Sequence, residues 1–417
     1  MRKRAICLTI LISSLLVSVE ASGWPQFQGD AMNSGLTGDE VPNNPQIIWS
    51  ADLVRVDVPP IVADGFVYVL AGNGTLWSLS KRTGYLRWKA QMDGWVFQTS
   101  TPAFWDGRIF AATDSGDLAA FDADTGQLLW CRHLTESRFE VPITSLEGQI
   151  FLGEGSGRGK KMKRYFSFDP DGTEVWNQTS ETGGFQWCGA CVSGDYLVYG
   201  DHEGVLRSVR IADGALTDEL ALSDGSRIDF AREDAGRIRN SANCRDGWIR
   251  IASEFSAELG YAWKIGFNDA DGTFENRGWS SPVGFSTSTP AVYDGRVYLG
   301  VGEHGHPGAL ACIDDSTGDL IWSFPLDAGV KSSPVVSTSE DRPRIIFATA
   351  RVNGSIYCLE DAGEYPNLVW RFDPPDDGYL LAGVAVSEGA VYFGTEKGIL
   401  YCLSDAEKKL QKGGLNL

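Results

Sequence analysis

The chain is 417 residues long, 43% hydrophobic and 22% charged, with 36 Lys and Arg against 55 Asp and Glu and a formal net charge of −19. That length can bury a large core, and that acidity sets nucleic acid aside as a partner. The charge reads as solubility or adaptation to salt, and eight cysteines in a chain of this length make no dense disulfide framework.

In chain order, Met1-Arg2-Lys3-Arg4 precedes an apolar run from Ala5 to Val19, and Val19-Glu20-Ala21 offers small residues where a signal peptidase cuts. Residues 1–21 are therefore expected to be an export signal, with 22–417 a single domain that is secreted, periplasmic or at the cell surface. Cys7 stands near the start of the apolar run rather than just after it, misplaced for lipid attachment. No later stretch approaches the roughly 20 apolar residues that a membrane span needs.

Next come a segment from Trp24 to Gly35 and a lone strand, Gln46-Ile-Ile-Trp49-Ser-Ala-Asp-Leu53. One unit then recurs at a period of about 40 to 50 residues, the range of blades and solenoid turns. It is an extended segment, a tight turn and an alternating apolar strand, as in Pro60-Ile-Val-Ala-Asp-Gly-Phe-Val-Tyr68 and Pro102-Ala-Phe-Trp-Asp-Gly-Arg-Ile-Phe110. Later copies open at Ile143, Ala190, Ala242, Pro290, Pro334 and Val384. A hairpin ending in Trp follows, as in Gly116-Asp-Leu-Ala-Ala-Phe-Asp-Ala-Asp-Thr-Gly-Gln-Leu-Leu-Trp130.

Period-two alternation and closely spaced turns predict four antiparallel strands per unit. Eight such units predict an all-β, eight-bladed β-propeller, an arrangement that leaves only short sheet edges. The last unit runs out after Tyr401-Cys-Leu-Ser-Asp405 without a Trp-ended strand. The lone strand around Trp49 is expected to complete it and close the ring.

The run Trp24-Pro-Gln-Phe-Gln-Gly-Asp-Ala-Met-Asn-Ser-Gly35, with Phe121-Asp122 to Trp130 and Ile313-Asp314 to Trp322, resembles the pyrroloquinoline-quinone (PQQ)-like repeat propeller family. That family includes the outer-membrane assembly propeller lipoprotein and the quinoprotein dehydrogenases. The resemblance implies that Trp49, Trp88, Trp130, Trp176, Trp322 and Trp370 dock between neighbouring blades. Blades 4 and 5 depart from the pattern: Asp213-Gly-Ala-Leu-Thr-Asp-Glu-Leu220 has no Trp, and blade 5 carries an insertion before Trp279. The dehydrogenases are similar to one another in a vicinal Cys-Cys disulfide, a Trp floor and a bound calcium. This sequence has no Cys-Cys pair and no Cys-x-x-Cys-His. No cofactor is assigned, and neither PQQ nor calcium finds supporting site residues.

Several local groups invite chemistry. Cys188-Gly-Ala-Cys191 reads as a structural bridge, a redox or metal pair, or two small core residues, with Cys244 as a third member. Cys312, Cys358 and Cys402 hold one place in three repeats and read as packing residues. His304-Gly-His306 lacks a third ligand, and Asp169-Pro-Asp-Gly172 and Asn268-Asp-Ala-Asp271 lack the closing Glu of a calcium loop, so all three read as turns. No metal site is expected.

Five residues before the position of Pro102, the eight units place Arg55, Phe97, Arg138, Phe185, Arg237, Phe285, Gly329 and Tyr379. Arginines and aromatics gathered at one channel mouth form either a collar for an anionic or planar ligand, or a self-stacked closure. The favoured role is a non-catalytic binding or scaffold propeller, a monomer with a protein or cell-surface ligand. The alternatives are a PQQ-dependent oxidoreductase and a glycan-binding propeller using Trp95 and Trp187.

Overall fold

A computed structural model describes residues 23–96, 100–134, 138–155 and 163–406. The expected export signal lies outside the described residues. The chain is an all-β, eight-bladed propeller: eight antiparallel sheets of four strands, one of them with an added parallel strand. Blade 1 consists, from the axis outward, of Ile61–Ala63, Phe66–Leu70, Thr75–Ser80 and Leu86–Gln91. Its second strand is an apolar run from Val67 to Leu70 with no exposure, as expected of a strand covered on both faces by neighbouring blades.

Ring closure follows the register of the other blades. Pro45–Asp52 pairs antiparallel with Ile399–Asp405, setting Trp49 opposite Cys402, just as Trp370 faces Cys358 and Trp322 faces Cys312. The three cysteines thus lie beneath the tryptophans of the outer strands, and burial pushes each thiol up to about 12.

Each of these tryptophans reaches into the following blade. The Trp88 indole N–H donates to the Ala123 carbonyl at 2.9 Å, Trp130 to Pro170 at 2.9 Å and Trp176 to Ile211 at 2.7 Å. Trp49 donates to Lys81 at 3.0 Å and Trp370 to Pro42 at 2.7 Å, while Trp322 reaches the Asp361 carboxylate at 3.2 Å. Gly126 admits the Trp88 ring, because a Cβ there would lie 2.6 Å from it. Trp279 supplies the same contact for blade 5, its indole N–H 3.0 Å from the Asp315 carbonyl. Blade 4 puts Asp218 in this position, opposite Ser208, and its carboxylate accepts the Phe274 N–H of blade 5 at 2.9 Å.

The segment after residue 23 blocks one end of the channel. Its inner strands present unpaired backbone groups there, and buried groups of that kind must find partners. Trp24 exchanges backbone bonds with Val62 in blade 1, and Gln26 bonds Ser145 of blade 3 through both ends of its amide. Across the axis, Gln28 donates to the Pro334 carbonyl of blade 7. Asn33 donates to the carbonyls of Ala190 and Ala242, both at 2.9 Å, and Leu36–Thr37 pairs parallel with Val335–Ser337. The other end, where the chain passes from each blade to the next inner strand, is the mouth.

Candidate functional site at the channel mouth

Backbone bonds fix the collar position in every blade: one carbonyl of the incoming connection accepts an N–H from the far end of that blade's second strand. In blades 1, 3 and 5 the acceptors are Arg55, Arg138 and Arg237, and in blades 6 to 8 Phe285, Gly329 and Tyr379. In blades 2 and 4 they are Trp95 and Gly184, because these connections are offset from the ungapped count. Phe97 lies outside the described residues. Phe185 is turned into the core, where its ring meets Tyr165 and Tyr199 edge-on at 5.1 and 5.3 Å. Phe285 and Tyr379 are buried as well, the latter donating its hydroxyl to the Ala350 carbonyl and stacking on His304 at 4.9 Å.

Two of the three collar arginines are neutralised in place. Arg55 pairs with Asp57 and with Glu396 at 3.3 Å, and Arg138 with Glu140 at 3.1 Å and Asp114 at 3.5 Å. Among the described residues, Arg237 has no carboxylate at ion-pair distance.

A second ring lies two or three residues further along the connections. It comprises Asp57, Glu140, Trp187, Arg239 and Lys331, a set that the same repeat count finds at three residues before Pro102 rather than five. Trp187 of blade 4 and Lys331 of blade 7 meet across the channel, the ammonium 5.0 Å from the indole centre. Arg239 lies over the same indole at 4.8 Å and pairs with Glu254 at 2.7 Å. Burial raises the Asp57 and Glu140 carboxyls above their ordinary range, and burial followed by repulsion from Arg239 lowers the Lys331 ammonium.

The cysteine pair departs from its spacing. Cys191 is bridged to Cys244, joining the inner strands of blades 4 and 5, with the Cα atoms 5.8 Å apart. Cys188 is not its partner: that thiol is free and buried, and it donates to the Ile238 carbonyl at 3.0 Å. Burial pushes it well above its ordinary value, which holds it as the thiol at neutral pH. Adjacent inner strands bring equivalent positions of neighbouring blades together, which spacing within one blade does not reveal.

With this geometry in view, comparison with known proteins places the chain. A family model described as outer membrane protein assembly factor BamB matches residues 42–182, 98–244 and 262–342, more than half of the chain. The chain belongs to this family. Outer membrane protein assembly factor BamB of Yersinia pestis is 30% identical over 34% of this chain and 36% of its own length. The chain thus spans about a third of the length of such curated relatives. Quinohemoprotein alcohol dehydrogenase ADH-IIG of Pseudomonas putida is 26% identical over 36% of this chain and 25% of its own. Among solved structures, BamB from Moraxella catarrhalis is similar with a TM-score of 0.62 at 16% identity, covering 87% of this chain and 98% of that one. A europium-containing methanol dehydrogenase gives 0.69 at 13% identity, covering 92% and 98%. At these identities the structural likeness establishes the fold.

At the centre of the mouth the aromatic face on which a planar quinone would stack is occupied by the protein's own cations. The Trp187 indole carries Arg239 and Lys331, and Asp57 and Glu140 are engaged by Arg55 and Arg138. The bridge joins two blades instead of adjacent residues. Among the described residues no three His, Cys, Asp or Glu side chains converge as metal ligands. The turn carboxylates of Asp169 and Asp271 accept backbone N–H groups of their own turns.

Proposed function

We propose that this chain is a non-catalytic propeller of the cell envelope that holds a protein partner at its open mouth. One observation carries the reading: with the opposite end blocked by the segment around Trp24 to Leu36, the mouth is rimmed by apolar side chains left in water. Trp95 and Val352 are each 63% exposed, and Val54 and Phe255 are exposed on mouth-side segments of other blades. Exposed apolar groups around one rim serve as anchors in protein interfaces, with Trp among the most effective. At the mouth Asp57, Glu140 and Glu254 are each paired with an arginine. The relatives named outer membrane protein assembly factor support both an envelope location and a protein partner. A glycan platform would rest on Trp95, since the Trp187 face is covered.

The test is site-specific photocrosslinking in cells, with a benzoyl-phenylalanine replacing Trp95 at the mouth or Tyr365 on the turn at the opposite face. A discrete, protease-sensitive adduct from position 95 and none from 365 is expected. No adduct at 95, the same adducts at both positions, or an adduct removed by glycosidase instead of protease would overturn the proposal.

A further inference from the structure

The connection from blade 4 to blade 5 occupies residues 222–242, whereas the connection into blade 6 occupies only 283–290. Loops of that length inside a compact ring are seldom idle. This one is held firmly: Ile228 and Ala235 are buried, Arg227 pairs with Asp218 at 2.8 Å, and Arg232 donates to the Ser280 hydroxyl at 2.9 Å. The Tyr261 hydroxyl donates to Asp234 at 2.8 Å.

Between this connection and the mouth-side turns of blades 4 and 5 lies a cleft of about 300 Å³, at the lower end of the range for small-molecule sites. Its floor is backbone packed closely enough that a Cβ on Gly236 would lie 2.1 Å from the Glu254 carbonyl oxygen. Its walls include His202, Ser223, Glu233, Arg237, Glu254 and Phe255. Glu254 is committed to Arg239. Arg237 and Glu233 both face the cleft, yet among the described residues neither has an ion-pair partner, and they do not pair with each other. The His202 Nδ1 atom is buried without a hydrogen-bond partner, and Phe255 is 59% exposed. Burial, then Arg237, lowers the His202 imidazole below its ordinary value, so that wall is neutral at physiological pH.

An unpaired cation, an unpaired anion and an aromatic face around one small cleft form a complementary set. We propose that this cleft binds a small aromatic zwitterion, of which a free aromatic α-amino acid is the simplest member. The carboxylate sits on Arg237, the ammonium on Glu233 and the ring against Phe255. A planar guanidinium suits a carboxylate through two parallel hydrogen bonds, and offset ring packing suits Phe255. Of the apolar rim residues this cleft uses Phe255 and not Trp95.

Isothermal titration of the mature chain with L-phenylalanine tests it, with N-acetyl-L-phenylalanine and phenethylamine as probes lacking the ammonium or the carboxylate. Saturable binding at about millimolar Kd or tighter is expected, with each truncated probe at least about tenfold weaker. Arg237→Ala weakens L-phenylalanine at least about tenfold, and Glu233→Gln weakens L-phenylalanine while leaving N-acetyl-L-phenylalanine unchanged. Both positions are solvent-facing, so the melting temperature holds. No saturable heat, equal binding of all three compounds, or unchanged affinity in both variants would overturn the proposal.

Discussion

Asp315 shows how much a single side chain can join in this ring. Its carbonyl accepts the Trp279 indole N–H, and its carboxylate accepts Arg250 at 2.7 and 2.9 Å and Lys264 at 2.8 Å, so blade 5 is clamped to blade 6. Burial alone would raise this carboxyl, but the hydrogen bonds and charges of Arg250 and Lys264 outweigh it and hold the group below its ordinary value. A depressed carboxylate contributes stability above its unfolded value, near 4, and loses it as pH falls through the folded value. Asp315→Asn is therefore expected to cost about 3 kcal/mol in urea unfolding at neutral pH, because it leaves two buried cations short of a counter-charge. The gap from wild type should close as the pH drops below about 4. A gap constant across that range would show that the carboxylate's charge is not what holds the clamp. None of this could be read from the sequence, where Asp315 is one more residue of an Asp-Asp-Ser-Thr-Gly turn.

At the level of strands and connections, what repeats was legible and what departs from the repeat was not. Trp49 stands before the first full unit, and Asp405 ends the last without a Trp strand. These two facts predict the closure seen between Pro45–Asp52 and Ile399–Asp405. Deleting residues 46–53 removes both that ladder and the Trp49 indole from the blade 1 interface. It should lower the cooperative melting temperature of the whole molecule by roughly 10 °C; a truncation that melts unchanged would refute closure by this strand. The path of the Trp24–Gly35 segment was hidden, since its glutamines and Asn33 bond to carbonyls of blades far away in sequence. The collar count erred for a related reason. In blades 2 and 4 the stretch from the collar carbonyl to the inner strand is longer than in the other blades, which puts Trp95 and Gly184 where an ungapped count puts Phe97 and Phe185.

Over the whole molecule, tryptophan-ended hairpins and a 40-to-50-residue period suffice for an eight-bladed ring, because every blade repeats one local solution. The site is harder to see. Trp187, Arg239 and Lys331 come from different blades, obey no motif and acquire meaning from meeting across the channel. The exposed apolar rim, with the Trp187 face occupied beneath it, is the reason for proposing a binding role for the mouth instead of quinone chemistry. Titrating the purified chain with pyrroloquinoline quinone and calcium, followed by absorbance and melting temperature, tests that assignment most directly. No saturable absorbance change and an unmoved melting temperature are expected, whereas saturable binding that raises the melting temperature would contradict it and identify the mouth as a quinone site.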